Sequence, residues 1–374
     1  MSGMSILRPW IIVPDTSHWA NWIDDAIGSL PDGRLKAQRF QERMLAEGKI
    51  MFLSWHHLEE LLSVESAINA RARMSFLQSL HLIAWMRSIG DQILGSITDI
   101  LAAEALAYDA GCTTLIQVRD HVREQLLLIG SGPNAIGHEG WVWDVVRPIL
   151  MQRRPSLGIV AALRDLNAAD VRQTIGQLAN QRLRPSSDRQ KIEAAIRASA
   201  VREVALSDPK RSRDEAERMG SDFAGRARAL FPRDGQTVRN FIVATYVGQG
   251  LDPDEVRDEA TIDELNSLAT FRSQLRVVAE KTSLPFERLK RVQMEALPSW
   301  RIASGLSRFG QRRTRRPGSD VHDQHLAALA AYVDCIYVDK RTHEDLRRVV
   351  RKDPELSVLF GSVRKASNYE NLLG

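Results

Sequence analysis

Two short apolar runs, one near each end of the chain, constrain the fold most: Ile11-Ile12-Val13, which stops at Pro14-Asp15, and Cys335-Ile336-Tyr337-Val338, which stops at Asp339. Each is too short for a helix and is bounded by proline or charge, so each reads as a buried strand that sends an acid out of the sheet's end. In an open parallel sheet, ligands bind beyond the carboxyl ends of the strands. Strands 11–14 and 335–338 are therefore expected to pair in parallel in one sheet, bringing Asp15 and Asp339 within about 8 Å, close enough to share a metal cluster.

Between these runs the pattern is mostly helical. A polar helical stretch covers about 19–47, and Lys49-Ile50-Met51-Phe52-Leu53 is a second short apolar run closed by Ser54, a helix N-cap. From Trp55 the residues Leu58, Leu61 and Leu62 recur at helical spacing, and the pattern continues through Leu77, Leu80, Ile83, Ile93, Ile97, Ile100 and Leu101 to a stop at Gly111. From Cys112 to Arg316 amphipathic segments alternate with Pro/Gly breaks and show no strand series and no internal period. After Pro317-Gly318-Ser319 come an apolar-faced helix over 320–332, the second terminal strand, and a charged helical segment from Thr342 to Arg351 with a polar tail. The fold class expected is α/β and predominantly helical. A small parallel-sheet core is formed by both chain ends (1–111 and 317–374), with an inserted all-α domain over 112–316.

The 374 residues suffice for two domains, and 44% hydrophobic with 26% charged residues describes an ordinary globular chain. The net charge of +4 permits a polyanionic partner without demanding one. Cys112 and Cys335 stand in no zinc or disulfide pattern, and Asp15 interrupts the N-terminal apolar run before a signal core or membrane span is complete. A cytoplasmic, non-membrane protein is the expectation.

The acids that could converge are Asp15, Glu59 or Glu60, Asp320, Asp323 and Asp339. Asp320 and Asp323 stand three apart on one helix, on the same face. A hard divalent cation takes oxygen ligands, usually one or two carboxylates with waters and substrate phosphate, and a pair of such ions supports phosphodiester hydrolysis without a covalent nucleophile. Each acid taken singly has a plainer role. Asp15 and Asp320 suit helix caps, Asp323 complements a helix dipole, and Asp339 suits a turn. Helical phase separates the two glutamates: Glu59 borders the apolar stripe and Glu60 lies nearly opposite, which favours Glu60 as the ligand.

These segments resemble the PIN-domain nucleases. Ile-Ile-Val-Pro-Asp15-Thr16-Ser17 is similar to the family's first strand and acid, with a proline before the Asp as a departure. Ser54 with Glu60-Leu61-Leu62 is similar to its second motif. Gly318-Ser319-Asp320-Val321-His322-Asp323 through Val338-Asp339-Lys340 resembles the end of such a domain. The resemblance implies a Mg²⁺- or Mn²⁺-dependent nuclease, acting on RNA more often than DNA. Asp15, Glu60, Asp323 and Asp339 would be the catalytic metal-binding acids, and Asp320 an additional ligand. The long interval from Glu60 to Asp320 implies a large inserted domain.

Arg312, Arg313, Arg315 and Arg316 precede the acidic helix and could hold a nucleic-acid backbone; a solvated linker is the plainer alternative. His56, His57, His322 and His325 complete no transition-metal set and suit surface or supporting roles. Trp141 and Trp143 beside Gly137–Gly140 suit core or domain packing better than base stacking. Two functions follow as expectations: an RNA-preferring metal-dependent endonuclease, or a PIN-like helical protein that binds nucleic acid or protein without cleaving. A regulatory protein or a second copy of the chain is a compatible partner for either.

Overall fold

The computed structural model describes residues 8–163, 171–179, 186–207, 211–229, 237–311 and 319–373; side chains are described throughout except at 153–163, 186–189, 192, 207, 228–229 and 319–323. In chain order the elements are β1 (Trp10–Val13), α1 (Thr16–Ile27), α2 (Pro31–Ala46), β2 (Lys49–Met51), α3 (Trp55–Leu62), α4 (Ala67–Ser79), β3 (Ile83–Met86), α5 (Ile97–Asp109), α6 (Leu115–Leu126) and β4 (Leu127–Gly130). Then follow the helices α7 (Gly132–Ile136), α8 (Gly140–Leu163), α9 (Ile175–Ala179), α10 (Ser186–Ser207), α11 (Arg213–Ala229), α12 (Val238–Gly248), α13 (Ile262–Thr282), α14 (Phe286–Leu289), α15 (Pro298–Phe309) and α16 (Ser319–Ala328). The chain closes with β5 (Cys335–Tyr337), α17 (Lys340–Lys352) and β6 (Ser362–Arg364). Among the described residues no helix is long and apolar enough to cross a membrane.

β1 is the hinge of the architecture. It pairs in parallel with β2 on one side (Ile11 with Ile50) and with β5 on the other (Ile12 with Cys335, Val13 with Ile336), and β5 pairs in parallel with β6. The sheet order is β2-β1-β5-β6, so the first and last thirds of the chain share one sheet as the terminal apolar runs require. Ile11, Ile12 and Val13 are all buried, which fits a central parallel strand covered on both faces. Ile12, Met51, Leu53, Cys335 and Tyr337 pack with Trp19, Trp22, Phe40, Leu58, Leu61 and Tyr369 in one core, in which Trp22 meets Phe40 and Phe76 edge-on.

Three strands lie where helix, loop or polar tail was expected. β3 falls within the helical pattern drawn through Ile83. It pairs antiparallel with β4 and joins the end of the parallel sheet through a Phe52–Ala84 bridge. β3 is Ile-Ala-Trp-Met and buried at all four positions, so it carries no alternation by which period could tell strand from helix. β4 begins directly where α6 ends, in a region expected to hold no strands, and β6 is a short edge strand within the polar tail.

The chain divides into two compact units. The first contains the sheet and comprises the described residues 8–154, 281–311 and 321–373; the second covers 155–280 with 319–320. The expected boundaries at 111/112 and 316/317 are thus displaced: 112–154 and 281–311 belong with the sheet. α6 delivers β4 to its partner β3, and α15 packs on α5 and α17, so these segments cannot leave the core. The first division falls inside α8 at Arg154/Pro155, with Gly158 close behind, and the helix continues through both residues. Among its described residues the second unit is helical, with a core of Ile175, Ile242, Tyr246, Leu251, Val256, Leu265 and Ala269 and an Arg272–Glu255 ion pair at 2.8 Å.

Within the sheet unit two acids, one half-buried and one fully buried, act as clasps. Asp334, at the start of β5, accepts from the Ile11 backbone N–H at 2.8 Å and pairs with Arg123 of α6 at 2.8 Å. Glu104 of α5 is fully enclosed; it accepts from the Ser299 N–H (2.8 Å) and hydroxyl (2.6 Å) at the start of α15 and from the Tyr332 hydroxyl. Burial pushes the Glu104 carboxyl up to about 7, against the opposing pull of the Ser299 and Tyr332 hydrogen bonds.

Candidate metal centre at the strand ends

Because β1 and β5 run side by side in the same direction, Asp15 and Asp339 leave the sheet at the same edge. The register sets Asp15 level with Val338, one residue short of Asp339. Each acid is the N-cap of the helix that follows its strand: Asp15 Oδ1 accepts from Ser17 N at 2.8 Å, and Asp339 Oδ1 accepts from Thr342 N at 2.6 Å. The capping role open to Asp15 is therefore its actual role, and Asp339 is a cap rather than a turn residue. Neither forms an ion pair with Lys or Arg among the described residues, and the second oxygen of each carboxylate is left to face solvent or a ligand.

The Ser54–Leu62 segment is joined to the β1 end through a histidine. Ser54 caps α3 and its side chain accepts from the His57 N–H, while His57 Nδ1 accepts from the Ser54 N–H at 3.0 Å, a reciprocal capping box with histidine in the place usually taken by Glu or Gln. His57 Nε2 lies 2.9 Å from the Pro14 carbonyl oxygen, to which it donates. Both ring nitrogens are thereby satisfied by backbone, with the proton on Nε2. Burial pushes His57 down to about 4; the Pro14 hydrogen bond and the negative charges of Glu60 and Asp15 oppose that shift without overcoming it. His57 is thus a neutral buried strut between the end of β1 and the start of α3, not a surface histidine, and it stands within electrostatic range of both Asp15 and Glu60. The sequence signal was its place three residues after Ser54.

Glu59 is engaged by the Trp55 indole (2.9 Å) and by His56 Nδ1 (3.1 Å), which ties it to its own helix's first turn, as its position beside the apolar stripe suggests. Glu60 is half-buried. The closing segment comes in on α16: the His325 ring stacks on His56 with centroids 4.4 Å apart. A small apolar recess lies beside this stack, lined by Phe52, Trp55, His56, Met86, Ile100 and His325 among others. Asp320 and Asp323 lie on α16, but their side chains fall outside the described residues, as do Arg312, Arg313, Arg315 and Arg316 entirely. Trp143 is core: it packs against Trp55 and donates to the Ile136 carbonyl, whereas Trp141 is exposed.

Among the described residues no three His, Cys, Asp or Glu side chains form a metal-holding group. The donor set that is described, two carboxylates on neighbouring strand ends with an oxygen each to spare, fits an Mg²⁺-type ion, which commonly binds through one or two carboxylates and completes its shell with water and phosphate. No family model, curated protein or solved structure matches this chain.

Proposed function

We propose that the chain is a metal-dependent endonuclease of PIN-like type that hydrolyses phosphodiester bonds, RNA in preference to DNA. The observation that carries this is the parallel pairing of β1 with β5, which brings two carboxylates from opposite ends of the chain to one sheet edge. Asp15 and Asp339 would hold Mg²⁺ or Mn²⁺ through the oxygens not used in capping. Glu60, whose charge is felt at His57, and Asp323, with Asp320 as an additional ligand, would complete the acidic set. Bound there, the ion supplies a Lewis acid for the phosphoryl oxygens and lowers the pKa of a coordinated water. The chain's own contribution is orientation: both strand-end carboxylates are fixed at their caps, and His57 holds the β1 end against α3 without carrying charge.

A specific observation favours the rival, a PIN-like module that binds nucleic acid or protein without cleaving. Both strand-end acids already have a structural task as caps. The discriminating experiment incubates the full chain with end-labelled RNA and DNA in Mn²⁺, Mg²⁺ or chelator. Internal cleavage that needs the metal and is faster on RNA is expected; binding with no cleavage under any metal would leave the module.

A further inference from the structure

The helix that starts at Asp339 carries a face of cations whose charge is used nowhere in the described protein. Lys340, Arg341, Arg347, Arg348, Arg351 and Lys352 of α17 are all exposed, and none has an ion-pair partner among the described residues. At 100° per residue the six fall within a stripe about 140° wide. The acid within that stripe is Glu344, which lies 3.6 Å from His343. The opposite face is fixed in place: Thr342, Asp345, Leu346 and Val349 are buried, and Asp345 accepts from the Gln311 N–H at 2.9 Å.

Helix stabilisation explains part of this charge and fails for the rest. Arg351 and Lys352 in the last turn complement the helix dipole. Lys340 and Arg341 occupy the first turn, where the dipole disfavours positive charge, and six like charges on one face repel each other. A polyanion laid along the face removes both costs. The helix has 13 residues, so it spans about 20 Å at 1.5 Å per residue. One nucleic-acid strand sets about six phosphates in that length. An anionic membrane fits less well, because a surface-bound helix inserts its apolar face into lipid, and that face of α17 is spent on the core.

We infer that the exposed face of α17 is a phosphate-backbone track that leads a nucleic-acid strand to or from the sheet edge at Asp339. The inference rests on the nucleic-acid reading of that edge, and its test reads binding rather than cleavage. Anisotropy of a labelled single-stranded RNA is titrated with the full chain in chelator across a salt series, comparing wild type with a variant carrying Arg347→Gln, Arg348→Gln, Arg351→Gln and Lys352→Gln. Four lost contacts should flatten the slope of log K against log salt by about 3, at about 0.7 per single-strand contact. An Arg34→Gln/Arg39→Gln control, exposed cations on α2, should leave the slope unchanged. If the fourfold variant does not fold, Lys340→Gln with Arg341→Gln should flatten the slope by about 1.4.

An unchanged slope overturns the track, as does equal loss in the control, or binding to phosphatidylserine vesicles that depends on these cations while RNA binding does not. Metal-dependent cleavage with an unchanged slope would sink the track alone. A flattened slope in a chain that never cleaves would sink the nuclease reading alone.

Discussion

Asp15 and Asp339 hold equivalent posts: each ends one of two adjacent parallel strands, and each uses one carboxylate oxygen to cap the helix that follows. A side chain at such a post serves local structure with one oxygen and can serve a ligand with the other. The two tasks can be separated chemically, because asparagine caps a helix about as well as aspartate but is a poor ligand for a hard cation.

Asp15→Asn and Asp339→Asn are therefore expected to abolish cleavage while apo stability stays within about 1 kcal/mol of wild type, the lost charge–dipole attraction being offset by relief of carboxylate repulsion. Asp339→Ala should lose cleavage and also about 1 kcal/mol through the vacated cap. Urea unfolding alongside the cleavage assay checks both. Wild-type cleavage in the asparagine variants would remove these residues from the site.

Asp334 is the internal control, five positions before Asp339 at the other end of β5. It is committed to Arg123 and the Ile11 N–H. Asp334→Asn should cost about 1–3 kcal/mol, since it leaves a half-buried guanidinium without its charge partner. Cleavage per folded molecule should be unchanged. A selective loss of activity with intact stability would mean that the acid at the amino end of the strand takes part in the chemistry after all.

The sequence made the β1–β5 pair legible for a physical reason: a β-branched run cut off by an acid has few other structures open to it. Asp15 and Asp339 were legible with it. Ile83–Met86 was not, because a strand buried at every position lacks the alternation that distinguishes it from the adjoining helical pattern of Leu77 and Leu80. The boundary inside α8 was hidden because the helix runs on through Pro155 and Gly158 from one compact unit into the next, so neither residue stands in a turn that would mark the division. Of the surface and supporting roles open to His57 the structure takes the supporting one, and the sequence left the two undivided because the burial depends on the Pro14 carbonyl, a tertiary contact.

His57 gives a signed pH dependence. Its folded pKa is about 4 against an unfolded value near 6.5, so below pH 6.5 the unfolded chain binds the extra proton. Its contribution is present above pH 6.5 and is lost as pH falls toward 4, by about 3 kcal/mol over the window. His57→Gln keeps an acceptor for the Ser54 N–H, loses the bond to Pro14 and cannot titrate. Measured by urea unfolding in chelator, it should be about 1–2 kcal/mol less stable than wild type at pH 7.5 and should show a flatter decline toward pH 4.5. A decline as steep as wild type's would assign that acid sensitivity to other groups.

Glu104 has the opposite sign. Its folded pKa of about 7 lies above the unfolded value near 4.5, so the folded chain holds the extra proton between those limits. Stability from this group is present below pH 4.5 and lost as pH rises through 7, by up to about 3 kcal/mol. In wild type this loss runs against the gain from His57 over the shared interval, so a nearly flat stability profile between pH 5 and 6.5 would conceal both. Glu104→Gln separates them: the amide oxygen can still accept from Ser299 N–H and Tyr332, the amide nitrogen can donate to the Ser299 hydroxyl, and no charge is buried at any pH. The variant should match wild type within about 1 kcal/mol at pH 5 and exceed it by about 2–3 kcal/mol at pH 8.5, with the urea midpoint moving accordingly. If the variant is instead less stable at pH 8.5, the ionised carboxylate is compensated by Ser299 and Tyr332 more fully than its burial allows, and the α5–α15 clasp is a charge-assisted one.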